Sequence, residues 1–173
     1  IKATIFGDHE IQKRKMGGLI AIGQGSINKP RFIVLEYKPD QRSKKNKKGK
    51  TKTIALVGKG ITFDTGGISL KPAKNMGEMK ADMSGAAVVV GTLIAAAKNN
   101  LPVHLFGIIP SAENMVSGES IRPGDVVKIS NGKTVEIEDT DAEGRVVLAD
   151  ALHYASQLKP DQIIDLATLT GAC

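Results

Sequence analysis

Apolar residues fall into short runs along this chain, parted by glycine, proline and charge, and the period of each run assigns its element. The first forty residues alternate such runs with Gly and Pro, as in MGGLIAIGQGS. RFIVLEY, halted by Pro39, is β-branched and aromatic enough for a strand. KTIALVGKG gives a second strand, with apolar residues 54–57 ending at Gly58, and the two are expected to pair as neighbours. ITFDTGGISLKPAKNMGEM is too glycine-rich for a regular element and predicts a long loop. SGAAVVVGTLIAAAKNN then predicts a helix, capped by Asp82 or Ser84. It is apolar on nearly every side, so it is expected to be buried. VHLFGIIP is apolar on both faces, as a central parallel strand is. DVVKIS and KTVEIED flank Asn131-Gly132 and predict a hairpin with a two-residue turn. AEGRVVLADALHYASQLK predicts a helix, and DQIIDLATLT a further strand.

The order strand, helix, strand, hairpin, helix, strand is an α/β layout: a mostly parallel mixed sheet flanked by helices. In such sheets functional loops lie beyond the carboxyl ends of the strands. Residues 59–71, 139–145 and 168–171 occupy those places.

Composition narrows the function. The 173 residues suffice for one domain with a core. The chain starts at Ile1 and stops just after a strand, so a piece of a longer protein is expected. No run of 18 uninterrupted apolar residues stands in it, and no membrane partner is expected. The lone cysteine, Cys173, excludes an internal disulfide and a cysteine-based metal site. It suits a reducing, cytoplasmic setting. The net charge of +6 invites a nucleic-acid reading, but residues 41–52 hold seven positive groups and no acidic one, leaving 6 − 7 = −1 for the rest. The basicity belongs to one loop, so a solvated loop is favoured over a nucleic-acid contact. The near absence of aromatic residues also argues against base stacking.

Three segments carry candidate chemistry. GKGITFDTGGISLK presents Lys59, Asp64 and Lys71, yet it has neither Walker nor G-x-G-x-x-G spacing, and Asp64 would repel phosphate. In KADMSG, Asp82 alone reads as an ordinary helix cap. DTDAEGR packs Asp139, Asp141, Glu143 and Arg145 into seven residues. Carboxylates so close repel one another unless a cation or proton intervenes, so the segment is either a solvated turn or a set of metal ligands. Calcium-loop spacing is absent. Together, Asp64, Asp82, Asp141 and Glu143 could hold two divalent ions, with a hydroxide generated between them. His104 and His153 form no H-E-x-x-H pair and read as structural.

VGKGITFDTGGISLK, MKADMSGAA, NGKTVEIEDTDAEGR and ATLTGA, in that order, resemble the leucyl aminopeptidase (cytosol aminopeptidase) family. DTDAEGR is similar to its signature NTDAEGR, with Asp139 where Asn is usual. The likeness runs from GGLIAIGQGS to the end of the chain.

The resemblance implies a metal-dependent aminopeptidase that releases leucine-like N-terminal residues from peptides. Its two metal ions would be zinc or manganese, with magnesium or cobalt able to substitute. The implied ligands are Lys59, as a neutral amine, with Asp64, Asp82, Asp141 and Glu143. Lys71 would polarise the scissile carbonyl, Arg145 would hold a bicarbonate, and Met79, Thr168 and Gly171 would line the substrate pocket. The family also implies a homohexamer when full-length. Its members run well over a hundred residues past TLTGA, so residues 1–173 are expected to be a partial catalytic domain. A DNA-binding member of the family, or an inactive fragment, is the alternative.

Overall fold

Alternation along the strands decides which side chains reach which face of the sheet. In β2 (Arg31–Tyr37), Phe32 and Val34 pack on one face, and Ile33, Leu35 and Tyr37 on the other. In β3 (Thr53–Gly58), Ala55 and Val57 share the first face and Leu56 the second. The longest strand, β5 (His104–Asn114), repeats the split with Ile108 and Ala112 against Leu105 and Ile109. A sheet apolar on both sides must be covered on both.

The computed structural model describes residues 1–40 and 51–171. Most of the basic segment at 41–52, and Cys173, lie outside them. The chain opens with β1 (Lys2–Phe6), α1 (Asp8–Lys13) and α2 (Gly17–Gly23) before β2. After β3 come β4 (Gly60–Asp64), a 3₁₀ turn (Met76–Ala81) and α3 (Ser84–Lys98). β5, the hairpin β6 (Val126–Lys128) and β7 (Thr134–Glu136), a short 3₁₀ turn (Thr140–Ala142), α4 (Glu143–Gln157) and β8 (Gln162–Leu166) complete it.

The main sheet runs β1-β2-β5-β3-β8. β3 is parallel to both β5 and β8, β4 is parallel to β5, and β2 is antiparallel to both β1 and β5. This is the expected α/β class, with a mixed sheet parallel at its centre. α3 covers one face, where Val89 and Leu93 meet Leu56 and Ile109. α1, α2 and α4 cover the other, around Ile11, Leu19, Ile22, Val147 and Ala151. There Phe6 stacks on Phe32 at 5.8 Å, and the edge of Tyr154 meets Phe32 at 5.1 Å.

Several sequence expectations are corrected. β2 and β3 are not neighbours, because β5 inserts between them, antiparallel to β2 and parallel to β3. Residues 61–79 are not all loop: β4 continues along β5 in the register that β3 began, Val57 opposite Ile108 and Gly60 opposite Ser111. Neither Asp82 nor Ser84 caps α3. Met83 holds the cap position with no side-chain bond, and the Ser84 hydroxyl instead donates to Ala81 O at 2.5 Å. α3 is not buried all round, since Val88, Val90 and Ile94 are exposed. In the hairpin, Ile129 N–H donates to Lys133 O, so the loop is Ser130-Asn131-Gly132 with Gly132 left-handed (φ 89°). By length and composition alone, Met76–Lys98 suffices to cross a membrane, although no uninterrupted apolar run announced it; its α3 part packs Val89, Leu93 and Ala96 on the sheet.

Candidate metal centre

The carboxyl ends of β3, β4 and β8 meet at one point, and the site is built there. β3 stops at Gly58 and β4 resumes at Gly60, which leaves Lys59 in the break. Its N–H donates to Leu166 O at 3.0 Å, and its carbonyl accepts from Ala86 N–H at 2.9 Å. The strand break is thereby tied to the end of β8 and the start of α3. The Lys59 side chain turns inward and is 3% exposed. Its Nζ donates to Thr168 O at 2.7 Å and lies 2.9 Å from Asp82 Oδ1 and 2.7 Å from Glu143 Oε1.

Asp64 closes β4. Its Oδ1 accepts from Gly66 N–H at 2.9 Å and from Asn114 Nδ2 at 2.8 Å, while Oδ2 lies 3.0 Å from Lys71 Nζ. Lys71 also donates to Asp141 Oδ1. Asp82, at the end of the 3₁₀ turn before α3, accepts from the Thr168 hydroxyl at 2.6 Å. Asp141 and Glu143 come from the turn that opens α4, where Asp139 Oδ1 accepts the Asp141 N–H at 2.8 Å.

These side chains line one cavity of about 350 Å³, together with Met79, Leu169, Thr170 and Gly171. All the candidate residues are there except Arg145. That residue lies exposed on the first turn of α4 and borders a separate depression with Glu138 and Asp139. His104 bonds Glu36 and His153 bonds Ser130, each at 2.9 Å, and neither lines the cavity.

Four carboxylates against two ammonium groups leave the cluster short of positive charge. Burial raises the pKa of Glu143 to about 7, and the charge of Asp64 adds to the effect while Lys59 opposes it. Asp141 is raised too, by burial and by Asp64, against its bond to Lys71. Burial disfavours the charge on Lys59, but Glu143 and Asp82 outweigh it and its pKa is raised. Lys71 is raised likewise, through Asp141 and Asp64.

Asp82 Oδ2 and Glu143 Oε2 are buried without a hydrogen-bond partner, while Glu143 Oε1 faces the Lys59 ammonium at 2.7 Å. Orphaned buried oxygens are costly. Asp64, Asp141 and Glu143 each present an oxygen within 4.8 Å of the others. Hard carboxylate donors converging in this way fit divalent cations. Ligation by Lys59 would require loss of the proton it holds here, which a dication alongside would drive.

Sequence reasoning missed Asn114, Thr140 and Ser69, which hold these loops from behind. Asn114 follows Ser111 and Glu113 at the polar end of β5, so no pattern in the sequence set it apart.

The model of the cytosol aminopeptidase family, catalytic domain, matches residues 1–173. Among curated relatives, a probable cytosol aminopeptidase of Chlorobium limicola is 56% identical over 173 residues, 99% of this chain and 33% of that protein. Proteins of the same description are 53% identical in Roseiflexus castenholzii, over 98% of this chain and 33% of that protein, and 51% identical in Bdellovibrio bacteriovorus, over 99% and 33%. The chain therefore spans about a third of the length of the curated relatives it matches. With the family match running end to end over the residues that build this cavity, the chain belongs to the cytosol aminopeptidase family.

Proposed function

We propose that the protein carrying this segment is a metal-dependent aminopeptidase, and that residues 1–173 are the N-terminal part of its metallopeptidase domain. One observation carries the reading. Lys59, Asp64, Asp82, Asp141 and Glu143, with Lys71, line a single cavity in which the buried Asp82 Oδ2 and Glu143 Oε2 lack hydrogen bonds. These five residues would hold two divalent ions, zinc or manganese, with magnesium or cobalt able to replace them. When bound, the ions supply a water nucleophile that is active at neutral pH and an anchor for the substrate's free α-amino group.

The chain's own groups supply the rest. Lys71, its side chain 22% exposed at the cavity wall, places a fixed positive donor where a carbonyl oxygen gains charge. Met79 and Leu169 give the wall apolar surface, suited to a leucine-like side chain, with selectivity limited to a modest factor per methylene. Thr168 offers its hydroxyl to Asp82 and its carbonyl to Lys59, so it fixes both groups against the pocket rim. Arg145, as holder of a bicarbonate, rests on the family resemblance alone. Peptide substrates, a cytoplasmic setting and a homohexamer complete the reading, and the relatives' name, cytosol aminopeptidase, supports the first two.

The test is leucine release from a leucyl amide by the full-length protein with added manganese or zinc. Turnover should stop with chelator and return with metal. Asp82→Ala and Glu143→Ala should each lower kcat by a factor of about 10³ or more, since each removes a ligand. Turnover near wild type in either variant refutes the assignment.

A further inference from the structure

Three of the cavity's carboxylates, Asp64, Asp141 and Glu143, come from segments far apart in sequence, residues 64–71 and 139–143, and a buried hydrogen-bonded network joins these segments behind the cavity wall. Asn114, 2% exposed at the end of β5, is its hub. Its side-chain amide donates to Asp64 Oδ1 at 2.8 Å and to Thr140 O at 3.1 Å. Both partners are acceptors, which fixes the end of the amide that faces them. Its main-chain carbonyl accepts from Thr65 N–H at 3.0 Å and from the Thr65 hydroxyl at 2.8 Å.

Thr140 is fully buried. Its hydroxyl donates to Gly66 O at 2.6 Å and accepts from Ser69 N–H at 2.8 Å, while its own N–H donates to Ser69 Oγ at 3.2 Å. Gly67 seals the junction. It is left-handed (φ 68°), and a Cβ there would stand 2.9 Å from Thr140 Oγ1 and 3.0 Å from Asn114 Oδ1. None of Asn114, Thr140 and Ser69 lines the cavity, so anything they do to it passes through Asp64, Asp141 and Glu143.

We infer that Asn114 and Thr140 form a positioning latch that sets the placement of Asp64 relative to Asp141 and Glu143, and through it the affinity of the site for divalent ions. The inference rests on the metal-site reading above. Asp64 and Asp141 repel each other, and on the cavity side Lys71 bridges them. Like charges stay converged only if their backbones are held, and the latch supplies seven hydrogen bonds for that purpose, each with Asn114 or Thr140 as a partner.

The experiment is a manganese titration of the metal-free full-length protein, with free Mn²⁺ read by its spin-resonance signal. Thr140→Val keeps the side-chain volume and removes the hydroxyl; it should weaken binding roughly tenfold or more. Thr140→Ser keeps the hydroxyl and should recover most of that loss, which a purely volumetric role would not allow. If Thr140→Val does not fold, Ser69→Ala removes only the acceptor for the Thr140 N–H, and it should weaken binding in the same direction by a smaller factor. Wild-type affinity in Thr140→Val, or in Ser69→Ala where that variant must stand in, overturns the latch. A wild-type protein that takes up no manganese overturns the metal reading itself, and the latch with it.

Discussion

At the scale of single residues, the strongest signal is an acid that does not want its charge. Glu143 is 1% exposed, and its pKa stands at about 7 against an ordinary 4.5, through burial first and Asp64 second. The unfolded chain loses this proton near 4.5 and the folded chain near 7. Between those values the native state binds more protons, so stability falls as pH rises through the window and levels off above it. Asp141 shifts in the same direction and adds to the trend. Lys59 does not, because its raised pKa keeps it charged throughout the window. Chelator-treated protein should therefore lose stability, by roughly 1–3 kcal/mol, between pH 5 and pH 7.5. Glu143→Gln should flatten that fall. Denaturation midpoints at the two pH values decide it, and an equally steep fall in the variant would show the slope to come from elsewhere. In the sequence, the carboxylates crowded into DTDAEGR were legible as either a solvated turn or metal ligands, while Lys59, Lys71, Met79, Thr168 and Gly171 were marked by the family resemblance alone. Asp82 was not legible as a site residue on its own, since an acid ahead of a helix has the ordinary use of a cap.

At the scale of elements, the junction of α3 with the sheet controls where Lys59 lies. Gly85 opens α3 so close to β8 that a Cβ on it would stand 2.0 Å from Leu166 O, a backbone atom that cannot swing aside. Leu166 O is also the acceptor for the Lys59 N–H, and Ala86 N–H donates to Lys59 O. Gly85→Ala should thus force α3 outward, destabilise the fold by about 3 kcal/mol, and weaken metal uptake with it. Gly91, on the open side of the same helix, is the internal control: nothing lies within 4 Å of its Cβ position. Gly91→Ala should be neutral or stabilise by about 0.5–1 kcal/mol, from helix propensity alone. Urea denaturation separates the two, and similar effects at both positions would refute the close-packing argument.

The same junction explains what pattern reading could not supply. α3 and α4 carry long apolar patterns and β3, β5 and β8 carry apolar runs bounded by glycine, proline or charge, and each was legible. β4 was not, because five residues that include a glycine and an aspartate have no period of their own; they form a strand only because β5 extends past β3 to receive them. α1 and α2, at six and seven residues, are likewise too short to show a helical repeat and are held by packing. Strand order was misjudged for a related reason. Sequence neighbours pair by default, and nothing local to β2 and β3 says that β5 lies between them.

At the scale of the whole molecule, the described surface is unfinished on one side. β8 ends the sheet order, and Ile163 and Ile164 on it are 39% and 47% exposed. Val88, Val90 and Ile94 project from α3. Apolar depressions of about 490 and 420 Å³ flank that helix, one bordered by Ile33, Val90 and Ile109, the other by Leu56, Leu101 and Ile164. Open strand edges and contiguous apolar surface are the two features that folded monomers avoid. They coincide here in a chain that spans about a third of its relatives' length. The segment 1–173 expressed alone should therefore self-associate and bind an apolar dye such as ANS, while the full-length protein should bind little. The comparison is sedimentation and dye fluorescence on both proteins at equal concentration. A monodisperse segment that leaves the dye dark would mean that the exposed faces of α3 and β8 need no covering. The apolar side chains along them would then have to be explained by something other than contact with the remainder of the polypeptide.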